Sequence, residues 1–71
     1  MMVKQASLPN RLPVLRAERA ISQLALAKKA RISHNRYWRI ENGHATASDV
    51  ERNMLARVLG VAVNDIWSVT A

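Results

Sequence analysis

The feature that most constrains this chain of 71 residues is the stretch from residue 22 to residue 43, where two short helical patterns flank a tight turn. Ser22 and Ser33 each precede a segment of helical spacing. A serine hydroxyl at that point accepts hydrogen bonds from the free N–H groups of the first turn. Gly43 follows the second pattern and takes the left-handed conformation that ends a helix at the least cost. The stretch therefore predicts two helices joined by a turn.

The two predicted helices present different faces. The first helix and the turn carry an apolar stripe, which consists of Leu26, Ala27, Ala30 and Ile32. In the second helix, Tyr37 and Ile40 are three residues apart and share one face. Its other positions hold long polar, cationic or aromatic side chains that a small core does not need, namely His34, Asn35, Trp38 and Arg39. The second helix is therefore predicted to read a partner with this face.

The net charge of the chain is +6, and the charge is unevenly distributed. Residues 1–43 contain nine Lys and Arg against two acidic residues, whereas residues 44–71 contain two against three. All of the excess positive charge therefore lies in the part that holds the two-helix stretch, which is typical of a phosphate-binding surface. A solvated face without a partner is the alternative interpretation.

Length and composition limit the chain to one small domain and exclude several kinds of site. A chain this short buries only about 60% of its unfolded surface, so close helix packing or a second copy has to support its core. The sequence has no cysteine and only two histidines, so we expect no disulfide and no metal site. It has no separate ligand domain, and we expect no cofactor and no small-molecule ligand. It has no signal peptide and no apolar run near the ~20 residues of a membrane span, so we expect a cytoplasmic protein that contacts no membrane.

Start and stop signals predict an all-α fold of five short helices. Asn10 can cap the first helix, and the spacing of Ser48 and Glu51 is that of a capping box at the start of the fourth. The fourth helix carries an apolar stripe of five residues: Val50, Met54, Leu55, Val58 and Leu59. The predicted helices span residues 10–19, 22–30, 33–42, 48–59 and 63–67. The expected divisions are a flexible arm over 1–9, the folded domain over 10–67 and a tail over 68–71.

Catalytic motifs are absent from the sequence. There is no nucleophile elbow and no glycine-rich phosphate loop, and no two carboxylates have a helical spacing that faces a cleft. The acidic residues are accounted for by helix caps and an ion pair. We therefore expect a binding protein without catalytic residues, and not an enzyme.

Five short motifs, in their order and spacing, resemble the helix-turn-helix DNA-binding family of phage lambda repressor and Cro. The motifs are Ser22-Gln23, Leu26-Ala27, Ile32-Ser33, Arg39-Ile40-Glu41-Asn42-Gly43 and Leu59-Gly60-Val61. The likeness covers residues 10–67. It implies five helices, of which the second and third form the helix-turn-helix and the third enters the major groove of DNA. The chain differs from the usual family pattern in carrying Ala20 and Arg31 where glycine is common.

The resemblance also implies roles for individual residues. The positions that contact bases are held by His34, Asn35, Trp38 and Arg39. The positions that contact phosphates are held by Gln23, Asn42, Gly43 and His44. The local positive charge adds four phosphate candidates, for each of which solvated surface is the alternative: Lys28, Lys29, Arg31 and Arg36. Arg16 and Glu41 match a family ion pair that ties the first helix to the end of the third.

The base-contact residues leave alternatives open. Arg39 suits a bidentate contact to guanine or a contact to phosphate, and Asn35 suits adenine or solvent. His34 suits a base or a phosphate. Trp38 either packs against a thymine methyl group and its sugar or folds over the core beside Tyr37.

The sequence thus predicts a DNA-binding transcriptional regulator of the repressor type found in phage and bacteria, which reads an operator as a homodimer. The resemblance places the dimer contact at the C-terminal end, on exposed Val63, Ile66 and Trp67. The alternative places these three residues in the protomer core. The alternative function is a protein-interaction module of the same fold, of the antitoxin or bridging-coactivator type, with weak DNA specificity.

Overall fold

The computed structural model describes residues 9–67, which form five helices and no strand. The helices are α1 (Leu12–Arg19), α2 (Gln23–Lys29), α3 (His34–Glu41), α4 (Asp49–Leu59) and α5 (Val63–Ile66). The predicted all-α fold and the order of its helices are confirmed. None of the five helices combines the length and the apolar character needed to cross a bilayer. The arm and the tail expected at the two ends lie outside the described residues, apart from Pro9.

Three serines start helices where the sequence predicts them. Ser22 and Ser33 each accept a hydrogen bond from the backbone N–H three residues further on, at 3.0 and 3.1 Å. Ser48 accepts from the N–H of Glu51 at 3.1 Å, and the Glu51 carboxylate accepts from the N–H of Ser48 at 2.8 Å. This exchange completes the predicted capping box. Each such cap contributes about 1 kcal/mol and defines where its helix begins.

The first helix begins at Leu12, two residues later than predicted, and its N-cap residue is Arg11, whose side chain forms no capping hydrogen bond. Asn10, the predicted cap, lies one residue earlier and contacts the first turn from there. The Asn10 Oδ1 accepts from the N–H of Leu12 at 3.0 Å. The Asn10 Nδ2 donates to the carbonyl of Ile40 at 3.1 Å, and the residue is almost completely buried. Asn10 therefore joins the start of α1 to the end of α3.

One hydrophobic core holds the five helices together. The apolar stripe predicted for α2 and the following turn is buried throughout, and so are Tyr37 and Ile40 of α3. The other core residues come from α1, α4, α5 and the loop before α4, and they are Leu12, Leu15, Ala47, Leu55, Ala56, Leu59 and Ile66. Because Tyr37 and Ile40 occupy the buried side of α3, the opposite side of that helix faces solvent.

The prediction that Val50 belongs to the apolar stripe of α4 is wrong, because this residue is 70% exposed. An α-helix turns by about 100° per residue, so Val50 lies on the opposite side of α4 from Leu59. The buried side of α4 is centred on Leu55 and Leu59, and the small residue Ala56 packs there as well. The stripe is therefore narrower at the start of α4 than the sequence pattern indicates.

The prediction that Ile66 is an exposed dimer contact is wrong, because this residue is completely buried within the protomer. The single turn of α5 directs this side chain into the core. The backbone N–H of Arg11 also donates to the carbonyl of Ile66 at 2.9 Å, which fastens α5 to the start of α1. Val63 and Trp67 pack against the core but stay partly exposed. The alternative interpretation, in which the end of the chain completes the protomer core, therefore holds for Ile66.

Between residues 9 and 67, two residues other than glycine adopt a left-handed backbone conformation. Ala20 has a φ of 52° and Arg31 a φ of 62°. Ala20 ends α1, and Arg31 lies in the turn between α2 and α3. A left-handed conformation costs a residue with a Cβ atom roughly 1 kcal/mol. The chain thus keeps the turn geometry at both positions without the glycine that relieves the strain.

Replacing Ala20 by glycine is expected to stabilise the protein by about 0.5–1 kcal/mol, because glycine adopts the left-handed conformation without steric strain. Urea unfolding followed by circular dichroism measures the effect. Ala17 is the matched control, since it is an exposed alanine inside α1. The same change there is expected to destabilise the protein by about 1 kcal/mol. A loss of stability in both variants would contradict the account of strain at Ala20.

Candidate nucleic-acid interface

The exposed side of α3 carries all four side chains that the sequence analysis assigns to base contacts: His34, Asn35, Trp38 and Arg39. Tyr37 and Ile40 hold the opposite side of α3 in the core. The turn between α2 and α3 is fixed by a hydrogen bond from the N–H of Ile32 to the carbonyl of Ala27 at 2.9 Å. The two helices therefore form a fixed pair that presents these four side chains together.

Trp38 is 44% exposed, which excludes the alternative in which its indole folds over the core. The indole stacks on the imidazole of His44, with ring centroids 5.4 Å apart and ring planes at 23°. The backbone N–H of His44 donates to the carbonyl of Arg39 at 2.7 Å. The Asn42 Nδ2 donates to the carbonyl of Trp38 at 2.8 Å. The loop after α3 is therefore held against the exposed side of that helix.

A shallow depression beside the indole connects α3 with the first residue of α2. Its lining consists of Gln23, His34, Asn35 and Trp38, and most of its accessible surface is apolar. Gln23, which the resemblance assigns to a phosphate contact, thus lies next to three of the residues assigned to base contacts. The start of α2 and the exposed side of α3 form one continuous surface.

Glu41 is the buried residue that ties this surface to the rest of the fold. Its side chain is 6% exposed, and its two carboxylate oxygens accept from Arg16 at 2.9 and 3.1 Å. The Gln23 Nε2 also donates to Glu41 at 3.1 Å, and the Tyr37 hydroxyl donates to it from the core. The ion pair implied by the resemblance is thus present, in a largely buried form that also includes Gln23. The network links α1, α2 and α3.

Hydrogen bonds in the network keep Glu41 ionised. Burial raises the pKa of the Glu41 carboxyl, but hydrogen bonds from Arg16, Tyr37 and Gln23 outweigh burial and hold that pKa below its ordinary value. The hydrogen bond to Glu41 raises the pKa of the Arg16 guanidinium. Burial raises the pKa of the Tyr37 hydroxyl. Gln23 is therefore positioned by a carboxylate whose charge Arg16 balances.

Arg36 has a structural contact that the sequence analysis missed. Its guanidinium donates from Nε and Nη2 to the two oxygens of Glu51, at 3.0 and 2.8 Å, and from Nη2 to the carbonyl of Thr46 at 3.1 Å. Arg36 thereby connects α3 to the start of α4. The hydrogen bond from Arg36 lowers the pKa of the Glu51 carboxyl to about 2. Arg36 and Glu51 are 15 residues apart, and no local motif signals such a pair.

Several cations near the two-helix stretch keep their charge uncompensated. Four exposed basic residues of the stretch 22–43 form no ion pair with any described residue: Lys28, Lys29, Arg31 and Arg39. Asn42, Gly43 and His44 are exposed directly after α3. Within residues 9–67, no three His, Asp or Glu side chains cluster as a metal site requires. The surface combines positive charge with hydrogen-bonding groups, which suits a polyanion.

A family model described as Helix-turn-helix domain matches residues 8–66. The chain belongs to the helix-turn-helix domain family. Among solved structures, it is similar to the restriction-modification controller protein C.AhdI from Aeromonas hydrophila, with a TM-score of 0.74 and 27% identity over 78% of this chain and 83% of that one. Two structures of the clp gene regulator ClgR from Corynebacterium glutamicum have TM-scores of 0.72 and 0.70 at 26% identity. They match 76% of this chain and 57% and 70% of their own. No curated protein sequence matches the chain.

The helix-turn-helix of this protein consists of α2 and α3, so its second helix is the one that exposes the four side chains assigned to base contacts. The family match and the solved structures confirm the resemblance to the helix-turn-helix regulators related to lambda repressor and Cro. The fold is that of DNA-binding transcription regulators. The matched structures are those of a controller protein and a gene regulator.

Acid is expected to destabilise this helix-turn-helix domain. The pKa values of Glu41 and Glu51 are both lowered on folding, so the unfolded state binds more protons than the folded state in acid. The stabilisation that Glu41 and Glu51 gain from their partners is fully present above the unfolded-state pKa of 4.5. It is lost progressively as the pH falls through the folded-state pKa of each group, which is about 2 for Glu51. Urea unfolding at neutral pH and at about pH 3 measures the loss. Glu51→Gln is expected to reduce the pH dependence, because it removes the carboxyl whose pKa is lowered to about 2.

Proposed function

We propose that this protein is a repressor that binds its operator as a homodimer, with α3 of each protomer in the major groove. The observation that carries the proposal is the exposed side of α3, whose four polar, cationic and aromatic side chains lie together on a helix anchored in the core. An α-helix fits the major groove, and base edges there present matching hydrogen-bonding and methyl groups.

Arg39 and Asn35 are the proposed sequence-reading residues. Arg39 suits a bidentate contact to O6 and N7 of guanine, and Asn35 suits a bidentate contact to N6 and N7 of adenine. Within the described residues, neither side chain forms a hydrogen bond or an ion pair, so both remain available for base edges. His34 is the first residue of α3 and is proposed to contact a base at the edge of the site.

Gln23, Lys28 and the loop formed by Asn42, Gly43 and His44 are the proposed phosphate contacts. The Gln23 amide has two N–H donors, and the hydrogen bond to Glu41 uses one of them, so the other can donate to a phosphate oxygen. Lys28 is exposed on α2, and the loop is exposed directly after α3. Arg36 is left out of the proposed contacts because Glu51 and Thr46 already engage its guanidinium.

A homodimer is proposed because one α3 contacts only a few base pairs. Two protomers related by a two-fold axis would read half-sites roughly 34–36 Å apart, one turn of DNA. Val63 and Trp67 are partly exposed at the end of the fold and are the proposed dimer contacts. The matched structures support a regulatory role, since their names describe a controller protein and a gene regulator.

Selection from a random duplex library tests this proposal. The protein is expected to enrich an inverted repeat whose half-sites are about one DNA turn apart. The selection is run at near-physiological salt, because binding to phosphates alone is strongly salt-dependent. Recovery of no motif, with only salt-sensitive binding to all duplexes, would contradict the proposal and favour the protein-interaction module.

Two alanine variants are expected to separate base reading from phosphate binding. Arg39→Ala is expected to cost about 1–3 kcal/mol of binding and to relax the preference at one base pair of each half-site. Gln23→Ala is expected to weaken binding to all sequences similarly and to leave the selected motif unchanged. Fluorescence titration against the selected duplex and single-base variants measures both. An unchanged preference in Arg39→Ala would show that Arg39 contacts phosphate instead.

A further inference from the structure

The surface of the depression lined by Gln23, His34, Asn35 and Trp38 is mostly apolar. Trp38 supplies the only large exposed apolar side chain of α3 within the described residues. The other three lining residues carry amide or imidazole groups. A partner that fills the depression therefore needs a small apolar group flanked by hydrogen-bonding groups.

Contacts within the protein hold Trp38 in position. His44 stacks on the indole but does not line the depression, so the indole has one surface against His44 and another toward the depression. The carbonyl of Trp38 accepts from the Asn42 side chain, which restrains the backbone at the same residue. The apolar wall of the depression is therefore formed before a partner arrives, and its ordering adds little to the cost of binding.

The major groove of DNA offers one exposed apolar group, the methyl group on C5 of thymine. The C5 methyl group of 5-methylcytosine occupies the same position on a pyrimidine ring. Polar atoms of the same and adjacent base pairs surround this methyl group, which matches a mostly apolar depression whose lining includes two amides and an imidazole. We propose that the depression binds the 5-methyl group of a pyrimidine and that Trp38 makes the protein sensitive to this group. The inference rests on the proposed function, since it requires α3 to enter the major groove.

The test uses the full chain and the duplex selected above. Each thymine of one half-site is replaced in turn by deoxyuridine, which removes the methyl group, and each cytosine by 5-methylcytosine, which adds it. At one pyrimidine, the duplex with the methyl group is expected to bind the wild-type protein about fourfold to tenfold more tightly. This is the gain expected when a methyl group and the apolar surface around it are removed from water. Weaker binding after replacement by deoxyuridine identifies thymine as the source of the methyl group. Tighter binding after replacement by 5-methylcytosine identifies 5-methylcytosine as its source.

Trp38→Ala is expected to abolish this methyl dependence, and Trp38→Phe is expected to retain part of it. Val14→Ala is the control, because Val14 is an exposed apolar residue on α1, outside the proposed interface, and its change is expected to leave the dependence intact. Circular dichroism shows that each variant is folded. If Trp38→Ala does not fold, the Trp38→Phe variant and the two DNA series still decide the matter.

Two results would overturn the inference. One is specific binding that is insensitive to the 5-methyl group at every pyrimidine, which would refute the methyl site and leave the proposed function intact. The other is a methyl dependence that persists unchanged in Trp38→Ala. Absence of any selected sequence would overturn the proposed function and this inference together.

Discussion

The Glu41→Ala variant is expected to lose about 3 kcal/mol of unfolding free energy. The carboxylate accepts hydrogen bonds from Arg16, Gln23 and Tyr37, so its removal leaves two donors without a partner and one cation without a counter-charge. The loss is expected at the lower end of the range for broken buried pairs, because Arg16 is 19% exposed and water can reach part of its guanidinium.

Urea unfolding of Glu41→Ala, Arg16→Ala and the double variant measures this effect as a double-mutant cycle. The double variant is expected to be less destabilised than the sum of the single variants, because each single variant already breaks the pair. Glu18→Ala is the matched control. Glu18 is an exposed acid whose contact with Arg19 is 3.4 Å long, so its removal is expected to cost less than about 0.5 kcal/mol. Equal effects of Glu41→Ala and Glu18→Ala would refute the central role of the network.

Ile66→Ala is expected to destabilise the protomer by about 2–5 kcal/mol, since the side chain is completely buried and its truncation leaves a cavity. A domain of this size has roughly 5–10 kcal/mol of stability in total, so the variant is expected to be partly unfolded at 37 °C. Chemical unfolding at several protein concentrations measures the loss. A loss that is independent of concentration identifies Ile66 as a core residue of the protomer.

Val63→Ala provides the contrast for Ile66→Ala, because Val63 stays partly exposed on the same short helix. It is expected to change protomer stability less than Ile66→Ala and to weaken self-association, as a proposed dimer contact should. Analytical ultracentrifugation measures the association. If Ile66→Ala left the protomer fully stable and abolished only the dimer, Ile66 would have to be exposed, contrary to its position in the core.

The helix starts and the core of the helix-turn-helix could be predicted because their signals are local. The hydroxyls of Ser22, Ser33 and Ser48 act on N–H groups three residues away. Tyr37 and Ile40 share a side of α3 by helix geometry alone. Such signals require no knowledge of how distant parts of the chain pack, so the five helices and the exposed side of α3 follow from the sequence.

Val50 and Ile66 were predicted wrongly because their environment depends on packing between helices. The spacing of Val50 with Met54 is as helical as that of Leu55 with Leu59, yet Met54 packs against the core and Val50 is exposed, which only the position of the core decides. An apolar residue such as Ile66 fits a protomer core and a subunit interface equally well in sequence terms. Its burial is decided by the way α5 returns to α1.

The supporting contacts of the candidate site were beyond sequence reasoning because they join residues far apart in the chain. Gln23 and Glu41 are separated by 18 residues, and Arg36 and Glu51 by 15. Arg36 was predicted to contact phosphates on the basis of its charge alone. In the structure the same charge binds Glu51 and connects α3 to α4. The side chains of α3 could be predicted as a set, but the residues that hold them in place could not.

The hydrogen bond from Arg11 to Ile66 brings the first and last described turns of the chain together. Pro9 and Trp67 likewise line one small cavity, so the chain enters and leaves the domain at neighbouring points. A short linker can therefore join the two points into a closed ring, with new ends opened near Gly60, where the surroundings are uncrowded. For the same reason, the whole domain can be grafted into a surface loop of a host protein without forcing the two sides of that loop apart.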